Sequence, residues 1–242
     1  MALVTAIVTS VGMGAWSTYG SAQDNKVQVA GSADEPAGLQ SSLAPVSTET
    51  VPAPSKPPPR PPEPVVPDSG DGQFRAAEGQ SVPIGSGTTT SYRVEVEGGL
   101  PWSPDEVAAV VDSTLADSHG WNVAGHSFQR TTTAVLRIRV ATPSTVDRLC
   151  APLRTRGEMS CRNGNFVVLN AKRWNLGIEA FQSISGYRRY LVNHEVGHAL
   201  GYSHRTCLSP GQLAPVMQQH TKSMQSCRPN SWPTTAELTT RK

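Results

Sequence analysis

The chain has 242 residues, 37% hydrophobic and 17% charged, with 21 Lys and Arg against 19 Asp and Glu and a net charge of +2. Its basic residues are scattered and not interleaved with stacking aromatics, which argues against a nucleic-acid partner. The charge divides at residue 71: residues 1–71 hold 3 basic and 7 acidic residues, net −4, while residues 72–242 hold 18 and 12, net +6.

Residues 2–16 are uncharged and mostly apolar, a run that reads as the core of a signal peptide, with Gly20-Ser21-Ala22 as a small-residue cleavage site. No Lys or Arg precedes the run, so its basic start is missing, which fits a true start upstream of Met1. An uncleaved anchor is the alternative, because Ser17 to Ser21 extend the run toward the ~20 residues a spanning helix needs. Residues 1–22 are therefore read as signal peptide or membrane anchor. Residues 23–71 read as a linker: 11 prolines fall in the 32 positions 36–67, including Pro57-Pro58-Pro59-Arg60-Pro61-Pro62, a composition that favours an extended polyproline II spacer and cannot bury a core. No internal repeat is present. Residues 72–242 remain as one domain, long enough for a single core. A mildly basic domain on an acidic tether is most simply a solvated surface; affinity for anionic wall polymers or acidic peptides is the sharper alternative.

Within the domain, Tyr92, Val94 and Val96 alternate at period two and make Ser91–Glu97 a strand. A helix follows. Ser103-Pro104-Asp105-Glu106 supplies an N-cap, a first-turn proline and a capping-box glutamate, and Val107, Val110, Val111 and Leu115 form a stripe to cover the sheet. Val135–Val140 reads as a strand, and Met159–Arg162 with Phe166–Leu169 as a hairpin turning at Asn163-Gly164. Ile184–Leu200 reads as a helix with Leu191, Val192, Val196, Ala199 and Leu200 available to pack.

That helix carries His194-Glu195-Val196-Gly197-His198. Histidines four apart lie on one face, one turn apart, and can reach a single metal ion. Glu195 leaves the helix roughly 100° further round, suited to holding a water beside the metal. Gly201 can end the helix in a left-handed conformation and turn the chain back, delivering His204 as a third ligand. Three protein ligands leave a fourth position for water, the pattern of catalytic and not structural zinc. At this chain's own frequencies of His, Glu and Gly, five such residues at these spacings are expected by chance about 10⁻⁵ times, so the pattern carries weight.

The extended motif His194-Glu195-x-x-His198-x-x-Gly201-x-x-His204 resembles the metzincin clan of zinc metallopeptidases. More closely, the stretch from about Tyr92 to Trp232 resembles an uncharacterised family of metzincin-like domains in secreted or membrane-anchored actinobacterial proteins. The likeness rests on Leu169-Asn170-Ala171, Arg173-Trp174, Tyr187-Arg188-x-Tyr190-x-Val192-Asn193-His194 and Ala214-Pro215-Val216-Met217. It implies an α+β metzincin-like domain: a small twisted mixed sheet, two main helices, the second bearing the zinc motif, and a small irregular C-terminal subdomain with a methionine turn at Met217. It further implies that an edge strand pairs with extended substrate; the segment near Arg156 to Arg162 is the candidate, unless that hairpin only completes the sheet. Three departures limit the carry-over. No cysteine precedes Cys150, so latency through a zinc-bound thiol is not expected; Gln219 stands where related enzymes place a tyrosine that assists the oxyanion, with Tyr202 and His220 the nearest candidates; and Pro229 and Pro233 argue against a long C-terminal helix.

Cys150, Cys161, Cys207 and Cys227 form an even set in an exported chain and read as two disulfides, with three pairings open. Cys150–Cys161 and Cys207–Cys227 are expected, since each brackets one loop and leaves the motif helix unburdened. The spacings lack the close pairs of a cysteine zinc site. The expectation is thus a secreted or envelope-anchored metallopeptidase with His194, His198 and His204 as zinc ligands, Glu195 as general base and a protein or peptide substrate. A catalytically silent, metal-stabilised envelope-binding domain and a hydrolase of cell-wall peptides are the alternatives; oligomeric state is left open.

Overall fold

A computed structural model describes residues 64–239; the segments read as leader or anchor and most of the proline-rich linker lie outside the described residues. The packed chain begins before residue 72: Val66 contacts the core and the Asp68 carbonyl accepts from the Ser144 N–H at 3.0 Å. The frame is a seven-stranded mixed sheet built from β1 (Phe74–Ala76), β2 (Ile84–Gly85), β3 (Thr88–Glu97), β4 (His126–Arg130), β5 (Leu136–Ala141), β6 (Cys161–Asn163) and β7 (Phe166–Asn170). Strand order is β2-β4-β3-β5-β7-β6, with β1 also on β3; β3 runs parallel to β4 and β5, β5 parallel to β7, and the short β1, β2 and β6 pair antiparallel at the margins. The sheet is larger than the small one expected.

Alternation assigns the two faces. Tyr92, Val94 and Val96 of β3, Ile138 and Val140 of β5, and Val167 and Leu169 of β7 enter the main core under α1 (Pro104–Ala116) and α4 (Ile184–Ala199). On the opposite face, Ala141 and Val168 meet Val146 and Cys150 of a helix not anticipated, α2 (Pro143–Cys150). Arg139 also lies on that face, ion-paired with Glu95 at 2.6 Å and flanked by the rings of Phe74 and Phe166, so a nearly buried charge keeps a partner.

The capping box is present on α1: Ser103 Oγ accepts from the Glu106 N–H at 3.2 Å and the Ser103 N–H donates to Glu106 at 2.7 Å. The Phe166 hairpin forms with its turn at Gly164-Asn165, one residue later than expected, because Gly164 takes the left-handed conformation (φ 56°) that a tight turn requires. The remaining helices are α3 (Ala171–Leu176) and a short α5 (Thr235–Thr239). Both expected disulfides, Cys150–Cys161 and Cys207–Cys227, are formed, a chemistry of oxidising compartments. Among the described residues no helix is long and apolar enough to cross a membrane.

Candidate metal centre

The motif helix α4 starts at Ser183, whose hydroxyl accepts from the Gly186 N–H at 3.1 Å, and runs through the core with Tyr187, Tyr190, Leu191, Val192 and Val196 buried. It ends one residue earlier than expected. The Tyr202 N–H donates to the Gly197 carbonyl and the Gly201 N–H to the His198 carbonyl, with Gly201 at φ 86°, so paired backbone bonds close the helix around a left-handed glycine. This reversal carries His204 back over the helix.

His194, His198 and His204 are thereby brought together, and one donor atom from each lies within 4.8 Å of the others. Nδ1 of His194 sits 2.7 Å from the Val216 carbonyl, and Nδ1 of His198 2.9 Å from the Tyr202 carbonyl. Because a carbonyl only accepts, both Nδ1 atoms carry the proton and both Nε2 lone pairs are left to face inward. His198 Nε2 and His204 Nε2 stand 3.0 Å apart. Burial lowers the basicity of all three rings, most strongly at His194, which favours the neutral imidazoles that bind metals. Donor type, tautomer and convergence all fit a metal ion, and the cluster can hold one.

Glu195 is 5% exposed, and burial pushes its carboxyl up to about 8. It makes no hydrogen bond or ion pair among the described residues, yet it lines the cleft that opens over His198 and His204. That cleft has a volume of about 560 Å³. One wall is the edge strand β6 with the loop before it, where Ser160, Cys161 and Arg162 line the opening.

Met217 is fully buried and its sulfur packs against Gly197 of the motif helix. The loop holding it is clamped from two sides. The Arg205 N–H donates to the Met217 carbonyl at 3.1 Å, and Glu237 of α5 accepts from the N–H groups of Val216 and Met217 at 3.0 and 2.8 Å. Since the Val216 carbonyl orients His194, Glu237 is coupled to the site through one loop.

Of the two candidates weighed for the missing tyrosine, Tyr202 lines the cleft and stacks on Trp121 with ring centroids 4.3 Å apart. His220 does not face it: its ring is buried, stacks on Tyr190 at 4.1 Å and donates from Nε2 to the Pro215 carbonyl at 3.0 Å. Gln219 lines the cleft instead. Sequence reasoning missed Glu237, a lone acid in a polar tail with no marking pattern, and Arg154, which reaches the cleft only because the loop after α2 folds over it.

A family model described as "Protein of unknown function (DUF3152)" matches residues 60–234, and the chain belongs to that family. No curated protein and no solved structure matches the chain.

Proposed function

We propose that this member of the family is a zinc-dependent, metzincin-type metallopeptidase, secreted or held at the cell envelope. The observation that carries the reading is the convergence of three imidazole nitrogens, two of them with the lone pair of Nε2 left free, beside a carboxyl that has no hydrogen bond or ion pair among the described residues, in an open cleft. A structural zinc site would be closed by a fourth protein ligand; Glu195, which lines the same cleft as His198 and His204, would instead serve as base to a water in the open position.

His194, His198 and His204 would hold the zinc through Nε2, with the carbonyls of Val216 and Tyr202 fixing the first two rings. Zinc bound there would polarise the scissile carbonyl and lower the pKa of its water toward ~7. Glu195 takes a proton from the attacking water on its free carboxylate oxygen and returns it to the leaving amine. Burial makes Glu195 a stronger base than a solvated carboxylate, and a cation held by the three histidines would keep it ionised until the proton is transferred. The substrate chain would lie extended along β6, whose outer edge has no strand partner among the described residues, so main-chain hydrogen bonds would position it.

The test is cleavage of a mixed peptide library by zinc-loaded full-length protein. Glu195→Gln is expected to lower turnover by about 10³-fold or more while leaving metal bound. A Glu195→Gln protein with full activity would sink the assignment.

A further inference from the structure

The charges of the cleft wall are unbalanced. Among the described residues Glu195 is the one acidic side chain lining it; the walls contribute two guanidiniums, Arg154 and Arg162. Four other arginines of the domain, Arg93, Arg130, Arg139 and Arg173, are paired with a carboxylate. Arg154 and Arg162 take part in no ion pair or side-chain hydrogen bond among the described residues. Lys222 adds a third exposed cation in the hollow that adjoins His204.

Strand geometry says where Arg162 stands. On β6, Cys161 is opposite Val168 and Arg162 opposite Val167. Val168 belongs to the α2 face and Val167 to the α4 face, so alternation places Cys161 toward α2, where it is bonded to Cys150, and Arg162 toward the histidines. An extended peptide added to the outer edge of β6 would present every second side chain to that same face. The one level with Arg162 would have its Cβ ~5 Å from the arginine's, within reach of a guanidinium. A carboxylate there would be recognised in a fork geometry, and an ammonium repelled.

We propose that Arg154 and Arg162 make the cleft selective for peptides carrying an Asp or Glu side chain next to the bond that is cut. The inference rests on the metallopeptidase reading, which supplies the scissile bond and the strand-like pose. It gives the excess basic charge of the domain a location and a use.

The experiment compares matched fluorogenic peptides that differ by Glu, Gln or Lys at each position flanking the cleaved bond. Each is tested with zinc-loaded full-length wild type, Arg154→Glu and Arg162→Glu. Wild type is expected to favour Glu over Lys by roughly ten-fold or more in kcat/KM at one position, with at least one reversal variant shrinking or inverting that preference. Both positions are exposed, so a thermal melt is expected to show intact folding in the variants. Cleavage by wild type with equal rates for Glu and Lys peptides would overturn the proposal and leave the peptidase standing. If no peptide is cut, binding of the same labelled peptides to wild type decides: tighter binding of the Glu peptide that is lost in Arg162→Glu upholds the acidic selectivity without the hydrolysis, and equal or absent binding overturns it.

Discussion

Gly197 lies in the last turn of α4, where glycine is a poorer helix former than alanine by up to roughly 1 kcal/mol, and the structure shows what opposes that change. A Cβ there would come 2.5 Å from the Met217 sulfur and 2.9 Å from the Trp121 ring. The missing methyl lets the methionine sulfur pack directly against the helix backbone at Gly197. Gly197→Ala is therefore expected to lose about 1–2 kcal/mol despite its better helix propensity, and to bind zinc more weakly because the Met217 loop also holds His194. Urea unfolding and a zinc competition titration check both effects. His220 illustrates a different constraint. Its ring is 2% exposed, its Nδ1 has no partner, and burial lowers its pKa from 6.5 to about 4. The unfolded chain then binds a proton that the folded one refuses, so its contribution is intact above pH ~6.5 and is lost as pH falls toward ~4. The loss is about 3 kcal/mol at most. In chelated buffer, wild-type stability should fall more steeply than that of His220→Phe across this window; parallel curves would contradict the assignment.

At the scale of elements, α5 matters more than its five residues suggest. The buried Glu237 carboxylate accepts four hydrogen bonds, from the N–H groups of Val216, Met217 and Thr234 and from the Thr234 hydroxyl. Glu237→Gln would turn an amide NH₂ toward these donors. The expected cost is about 2–4 kcal/mol, with zinc affinity lower by ~10-fold or more through the Val216 carbonyl. Calorimetry and zinc titration would show it; a variant as stable as wild type would remove α5 from the account. The helix α1 was written in Ser103, Glu106 and a 3.6-period stripe, and β3 in the alternation of Tyr92, Val94 and Val96. The ligand set could be read because helix geometry alone relates His194 to His198 and a glycine marks the reversal to His204. By contrast β4, His-Ser-Phe-Gln-Arg, has no alternation and becomes a strand only by lying between β2 and β3. The two residues of β2 and the eight of α2 are too short for a periodic signal. Glu237 and Arg154 acquire their places from tertiary folding, which local pattern does not encode.

Across the whole molecule, the metal centre joins parts distant in sequence. Two of the candidate ligands come from α4 and one from the reversal after it, while the carbonyls that hold the first two rings belong to that reversal and to the Met217 loop, which Cys207–Cys227 and Glu237 tie down. A bound ion would therefore cross-link the upper sheet-and-helix layer to the irregular C-terminal segment, and its affinity would appear as folding stability. The cleft beside the histidines is bounded by β6.

Zinc content bears most directly on this account. Full-length wild type, Glu195→Gln and His198→Ala, purified with zinc supplied and then dialysed, would be measured by elemental analysis with peptide cleavage followed in the same samples. We predict one zinc per chain in wild type and in Glu195→Gln, little in His198→Ala, and cleavage by wild type alone. Wild-type protein without metal, or His198→Ala retaining a full equivalent, would contradict it.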